Sequence, residues 1–240
     1  MLKLCRVRVP RRAPMRSRCA WPALAAVAIA LAATGCGAKS SPVTALVPAA
    51  ALGGLLAGGS VVNAAMGVTL SAGPRNDHLD DHRNLLPNVN CLGVWRVGEA
   101  SVYGQDVHDV FKQNLRNPES GQWDQSVSQA VIRYPTIAAA QAFMAQASQR
   151  WSKCSDHHVN ITVNGRQLPK WTSGQLEANG DQLVMPSTMV SGEQSRACGH
   201  VLRRVANVIA DVQACSTGSA PVGAARTIAD AIESNAAGHR

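Results

Sequence analysis

The strongest constraint in this chain is a pair of cysteines near its C-terminal end. Between Ala197 and Cys215 the apolar residues Val201, Val205, Val208 and Val212 stand among the polar Arg203, Arg204 and Asp211, in a run rich in β-branched side chains. Folding the run about Ala206-Asn207 makes a two-residue hairpin, with Asn suited to the positive φ that such turns need. Val201 then meets Val212, Val205 meets Val208, and Cys198 meets Cys215. The register alone brings the sulfurs together, so the spacing predicts a hairpin closed by a disulfide.

Such a bond needs an oxidising compartment, and the N-terminus supplies an export signal. Residues 1–18 carry Lys3, Arg6, Arg8, Arg11, Arg12, Arg16 and Arg18 with no acid, and residues 21–33 are apolar and rich in Ala. Ala33-Thr34-Gly35-Cys36 follows. A basic region, a short apolar region and then small residues form the secretory pattern. A Cys directly after small residues resembles the lipobox of bacterial lipoproteins, whose Cys is lipidated and becomes the new N-terminus. Ala33 stands where Leu makes a better match, and an ordinary signal peptide or an uncleaved anchor is the competing reading. Residues 1–35 are therefore expected to be a lipoprotein signal peptide, Cys36 the lipidation site and residues 36–44 a tether. Two acyl chains suffice for stable attachment, which would hold the chain on the extracytoplasmic face of the cell membrane.

The leader also explains the charge. The chain has 23 Lys+Arg against 15 Asp+Glu, a net +8. Removing the seven leader bases leaves 16 against 15. A nucleic-acid partner would need a basic surface on the folded part, so none is expected. At 46% hydrophobic residues the chain can bury a core.

Of seven cysteines, Cys5 and Cys19 leave with the leader and Cys36 takes lipid. Four remain, which allows three connectivities. The hairpin register favours Cys198–Cys215, and that leaves Cys91 with Cys154. In the chain-entropy model the two loops contribute about 3 and about 4 kcal/mol. No close Cys pair of the zinc-ribbon kind is present, and no cofactor is expected.

From Ser40 to Pro74 there is no charge and no His. By length this could be a membrane span, but Pro48, five glycines, Ser60 and Asn63 dilute it. It reads better as a helix of the exported domain ending near Gly67, with Val68-Thr69-Leu70 opening a strand. Residues 77–88 read as a polar loop, 91–103 as a short helix, and 105–116 as helix or strand. A strand is expected over 123–134. Thr136 then caps a helix that runs to about Cys154 with Ala140, Met144, Ala147 and Trp151 on one face. Strands are expected over 158–163, 170–175 and 182–190, followed by the hairpin and a last helix over 222–235. The expected fold class is α+β: a mainly antiparallel sheet packed with helices and two disulfides, in a single domain over 45–237 with a candidate ligand cleft.

Several motifs in order carry a family resemblance. They are Cys91 with Gly93-Val94 and Tyr103-Gly104; Trp123 before a strand ending Arg133-Tyr134-Pro135; and Ala139-Ala140-Gln141-Ala142-Phe143. Trp151-Ser152-Lys153-Cys154, Trp171, Ala197-Cys198, Asn207-Val208-Ile209-Ala210-Asp211-Val212 and Ala214-Cys215 complete the series. Together they resemble the extracellular sensor domain of the mycobacterial PknH-type kinases, a domain also found alone in mycobacterial Lpp/Lpq-type lipoproteins. The resemblance implies a secreted α+β domain with the same two disulfides and a cleft for a ligand. It implies no known ligand and no reaction, and kinase motifs are absent from the sequence.

Candidate cleft residues are Trp95, Trp123 and Trp171, because aromatics with a few polar groups make ligand sites, and Arg133, which could hold an anion. Trp151 reads as core. His78, His82 and Asp81 form the best metal candidate in a segment that reads more simply as a solvated loop, and His157-His158 points to opposite faces of a strand. No metal site is expected. No nucleophile–base motif appears, so no catalytic residue is expected. The expected function is a non-catalytic cell-envelope lipoprotein whose domain binds a small ligand, lipid, glycan or envelope protein. The alternative is a structural or interaction module without a small ligand.

Overall fold

Cys198 pairs with Cys215 across an antiparallel ladder in which Val201 faces Val212 and Val205 faces Val208. The two cysteines are bonded, as are Cys91 and Cys154. The turn differs from expectation in one respect. Positive φ falls on Ala206 (54°) and not on Asn207, the pattern of turns that need it only at the first central position. Asn207 is fully buried, and its side chain serves another purpose, described below.

The computed structural model describes residues 45–85, 89–104, 107, 109–117, 125–159, 162–163, 165–191 and 194–239. The elements are α1 (Gly59–Met66), β1 (Ser71–Asn76), α2 (Leu92–Trp95), α3 (Ala100–Tyr103), β2 (Asp109–Arg116), β3 (Ser126–Arg133), α4 (Ile137–Ser152), β4 (His158–Val159), β5 (Thr162–Val163), β6 (Arg166–Gln167), β7 (Trp171–Ser173), β8 (Glu177–Ala178), β9 (Gln182–Ser191), β10 (Gln194–Val205), β11 (Val208–Thr217) and α5 (Val222–Ala237). One antiparallel sheet has the order β1-β2-β3-β11-β10-β9-β7-β4, with β8 also on β9, and β5-β6 form a separate pair. This is the expected α+β single domain.

The central strands are covered on both faces, and their side chains alternate between two cores as a period of two requires. Val127, Val131, Val201, Val205, Val208, Val212, Ile228 and Ile232 belong to one core, which places α5 on that face. Ala130, Ile132, Leu183, Leu202, Ile209, Met144 and Trp151 belong to the other, which places α4 opposite. Thr136 caps α4 by accepting the Ala139 N–H at 3.0 Å.

The uncharged N-terminal stretch is folded onto the first core. Val47, Leu52, Leu55, Leu56 and Val62 are buried in it. Side-chain amides fasten it, Asn207 and Gln129 among them. Asn207 accepts the Val47 N–H at 2.8 Å and donates to Tyr134 O at 2.9 Å, and Gln129 accepts the Ala57 N–H at 2.9 Å and donates back to Ala57 O at 3.0 Å. α1 ends at Gly67 with φ 69°. Among the described residues no helix is long and apolar enough to cross a membrane. The next strand begins at Ser71, not at Val68; its Gly73-Pro74 suits a sheet edge, where Pro withholds no needed donor. The stretch 91–103 is two four-residue helices and not one, because the chain turns at Gly98 with φ 68°. Residues 105–116 resolve as strand β2 from Asp109, and the strand expected over 158–163 is divided between β4 and β5, which have different partners.

On the α4 face lies a buried polar group. His200 and Asp211 are each 1% exposed. His200 Nε2 is 2.6 Å from Asp211 Oδ1, and Nδ1 is 2.8 Å from Val94 O. A carbonyl only accepts, so Nδ1 carries a hydrogen, and one proton lies between Nε2 and Oδ1. Oδ2 accepts from Tyr103 Oη at 2.6 Å and from Gly98 N at 2.9 Å. The Trp151 ring lies over His200, with centroids 4.9 Å apart. Burial, then the charge of Asp211 and the hydrogen bond donated to it, push the Tyr103 hydroxyl well above its ordinary range.

That shift has a signed consequence. The unfolded chain gives up its Tyr103 proton near pH 10.0, whereas the folded chain keeps it. Unfolding then releases a proton, so stability is complete below pH 10.0 and falls as pH rises from there toward the folded value. Tyr103→Phe should lose about 1.5–3 kcal/mol at neutral pH, the range for a hydrogen bond to a charged group. Urea unfolding above pH 10 should show a shallower fall for the variant than for wild type. Equal slopes would contradict the assignment.

Candidate ligand cleft

Along the α4 face of β10 and β11 the side chains grade from apolar to polar. Leu202 and Ile209 lie in the core near the turn, and His200 and Asp211 follow in the buried polar group. Beyond them Gln213, Cys198, Cys215 and Arg196 reach an open cleft. Ser126 and Ser128 of β3 and Ser187 of β9 complete its floor, and Trp95, Arg96 and Trp171 form its walls. The cleft has a volume of about 220 Å³. Small hydroxyl residues occupy this end of the strands where leucine and isoleucine occupy the other, so the core stops and solvent enters.

Each wall is held differently. Trp171 sits on β7, with Met189 of β9 as its ladder partner. Trp95 ends α2, and its backbone is fastened to the hairpin at several neighbouring points. His200 bonds Val94 O, Gln213 Nε2 donates to Trp95 O at 3.4 Å, and Gly98 N donates to Asp211. The Cys91–Cys154 bridge ties the start of α2 to the end of α4. The Trp95 and Trp171 rings meet edge to face, with centroids 6.1 Å apart and planes at 68°. Trp95 Nε1 is buried with no hydrogen-bond partner among the described residues.

Among the described residues, Arg96 and Arg196 line the cleft and no carboxylate does. Arg196 donates to Ser126 Oγ at 3.0 Å, and Arg96 forms no ion pair among the described residues. Outside the cleft, these four arginines meet acids: Arg133 with Asp109, Arg203 with Asp230 and Glu233, Arg204 with Asp181, and Arg226 with Glu177.

Of the residues anticipated for a cleft, the structure brings Trp95 and Trp171 together. Arg133 is elsewhere. Its register partner on β11 is Val208, at the hairpin turn, while the cleft lies at the Ser126–Cys215 end, about 23 Å away along the strand. There it is bound to Asp109 through Nε at 2.7 Å. Trp123 and Cys36 lie outside the described residues. Arg96, Arg196 and the serines were not anticipated, and nothing in the spacing of isolated polar residues marks them. Trp151 is core, as expected.

His78, Asp81 and His82 do not converge. His78 lies by Asp77 at 3.5 Å, Asp81 holds Arg83 at 2.7 Å, and His82 Nδ1 is 2.5 Å from Glu99 Oε1. The Arg83 guanidinium holds the exposed Asp81 carboxyl below its usual range. Asp80, His82 and Glu99 do gather within 4.8 Å, but the buried Lys112 ammonium is bonded to Asp80 and supplies the positive charge there. His158 bonds Thr172 Oγ1 at 2.8 Å at the surface. His200 and Asp211 have no triad connectivity either. Both ring nitrogens are engaged, and the one hydroxyl bonded in the group, that of Tyr103, goes to the carboxylate. A second groove, about 310 Å³ between α3 and α4, is lined by Tyr103, Tyr134, Phe143 and Arg150. Its arginine is already bonded to Val102 O and Gln146 Oε1.

Comparison with known proteins agrees with this architecture. Residues 47–234 match the family model for the PknH-like extracellular domain. The serine/threonine-protein kinases PknH of Mycobacterium bovis and Mycobacterium tuberculosis are each 24% identical over 165 residues, which is 68% of this chain. The aligned part is 27% and 26% of those proteins, so the chain spans about a quarter of the length of the curated relatives it matches. The crystal structure of the extracellular domain of PknH from Mycobacterium tuberculosis superposes with a TM-score of 0.73 at 23% identity, covering 81% of this chain and 99% of that one. That likeness establishes a shared fold. From the family match over residues 47–234, the chain belongs to the PknH-like extracellular domain family.

Proposed function

We propose that this protein is a non-catalytic, lipid-anchored component of the cell envelope whose domain binds a ligand, on the extracytoplasmic face, in the cleft between Trp95 and Trp171. The observation that carries the reading is the cleft itself. It combines two large aromatic walls, a hydroxyl-lined floor and two guanidinium groups in one concavity beside a rigid sheet. Export is supported by the two disulfides, by the leader ending at Cys36, and by membership of a family of extracellular domains. Absence of turnover is supported by the closed bonding of His200 and Asp211 and by the likeness to the extracellular part of PknH.

Two measurements test it. Cell fractionation of Cys36→Ala should move the protein from the membrane to the soluble fraction; equal retention on membranes would overturn the lipid anchor. Native mass spectrometry of the protein purified from its own host should show a co-purified small mass that Trp171→Ala loses. A wild type without added mass, or a variant that keeps it, would overturn the cleft as ligand site.

A further inference from the structure

We infer that the Cys198–Cys215 bridge is a thiol-exchange site, open to small thiols that enter the cleft, while Cys91–Cys154 is a permanent staple. The inference needs the cleft to be open and does not need it to hold a ligand, so it goes beyond the reading above.

The bridge lies in a row of short side chains. Ser126, Cys215, Cys198 and Ser187 are successive register partners across β3, β11, β10 and β9, and all four line the cleft. Neighbouring strands lie about 4.8 Å apart, so a serine stands beside each cysteine on its outer side. Nearer the hairpin turn, the same two outer strands carry Ile132 and Leu183 on this face, and there the core is closed. A thiolate must approach a disulfide from beyond one of its sulfurs. Serine leaves room for that approach where isoleucine or leucine would fill it.

All four bridged cysteines are largely buried, but the two bridges face different surroundings. Cys91 and Cys154 belong to the core with Met144 and Trp151 and line neither groove described above. Access of this kind separates labile disulfides from inert ones.

The fold also asks different things of them. Cys91–Cys154 joins the start of α2 to the end of α4 across 63 residues, and no ladder links those helices. Cys198–Cys215 joins positions that a ladder already holds opposite one another, with Ala197–Ser216 and Gly199–Ala214 paired on either side. β10 and β11 are paired again on their outer edges, with β9 and β3. Opening this bridge therefore leaves the strands in place and puts two thiols on the cleft floor.

The exchange needs only a thiol as co-reactant. Its thiolate attacks one sulfur, the S–S bond breaks, and the electron pair leaves on the other sulfur, which takes the proton that the entering thiol gave up. A second thiol then displaces the mixed disulfide. Two thiols are oxidised to one disulfide, and the bridge is reduced to two cysteines. The hydroxyls of Ser126 and Ser187 are donors beside the departing thiolate.

The test is timed reduction of the full-length protein in detergent micelles by dithiothreitol, without denaturant. Free thiols are first blocked with iodoacetamide, samples are quenched with N-ethylmaleimide, and labelled cysteines are mapped by peptide mass. Cys198 and Cys215 should be labelled together, about tenfold or more faster than Cys91 and Cys154, with the far-ultraviolet circular dichroism spectrum unchanged. A dithiol coupled to a dextran too large for the cleft should open Cys198–Cys215 about tenfold or more slowly than dithiothreitol does. A smaller difference in either comparison, earlier labelling of Cys91 and Cys154, no reduction of either bridge, or loss of the spectrum as Cys198 and Cys215 are labelled would each overturn the inference.

Discussion

The contact between His200 and Asp211 is the interaction on which the cleft depends. The walls need it because α2 and α3 are four residues each, far too short to hold their own position. The hairpin holds them instead. His200 reaches Val94, Gln213 reaches Trp95, and Asp211 takes both the Gly98 amide and the Tyr103 hydroxyl. Without the carboxylate, the Gly98 N–H and the Tyr103 hydroxyl would have no acceptor and His200 Nε2 no partner in a dry interior, the costly case for buried polar groups. A buried pair of this kind is weak evidence for stability as such. Its use here is to set the place of one loop against one pair of strands.

The same sheet face thus does two jobs in sequence along its length. Near the hairpin turn its apolar side chains build the core with α4. Beyond His200 and Asp211, short hydroxyl side chains and the Cys198–Cys215 bridge leave the floor open. The bridge closes the strand ends where the flanking core is missing, and Trp171 approaches from β7. The other face, sealed by α5 and by the uncharged segment from Val47 to Leu70, contributes rigidity.

Much of the fold was legible because local pattern and tertiary structure agree. The valine pairs fixed the hairpin register, and Thr136 and Trp151 marked the cap and buried face of α4. Reading failed where local pattern was silent or divided. Ser71–Asn76 lacks alternation because it is an edge strand that buries little. Asn207 looked like a turn residue because Asn tolerates positive φ, yet tertiary contacts with Val47 and Tyr134 claim its amide. Asp211 carries no signal of burial in the sequence, where it is one polar residue among the valines, and in a sheet covered on one face it would meet solvent. The sheet is covered on both, so the residue is buried and bonded. Arg133 carried the right chemistry at the wrong end of its strand, since distance along a strand becomes meaningful only once the register is known. Arg96 and Arg196 carry no spacing signal; only folding makes them neighbours.

Backbone hydrogen exchange tests the central claim most directly. Asp211→Asn keeps an oxygen for Gly98 and Tyr103 and an amide that can donate to His200 Nε2, whereas Asp211→Ala keeps neither. The account predicts that in Asp211→Ala the amides of residues 93–99 exchange about tenfold faster or more while the hairpin over 198–215 stays protected, and that Asp211→Asn behaves as wild type. Unchanged protection of residues 93–99 in Asp211→Ala, or uniform loosening of the whole domain, would show that the contact does not hold the cleft wall.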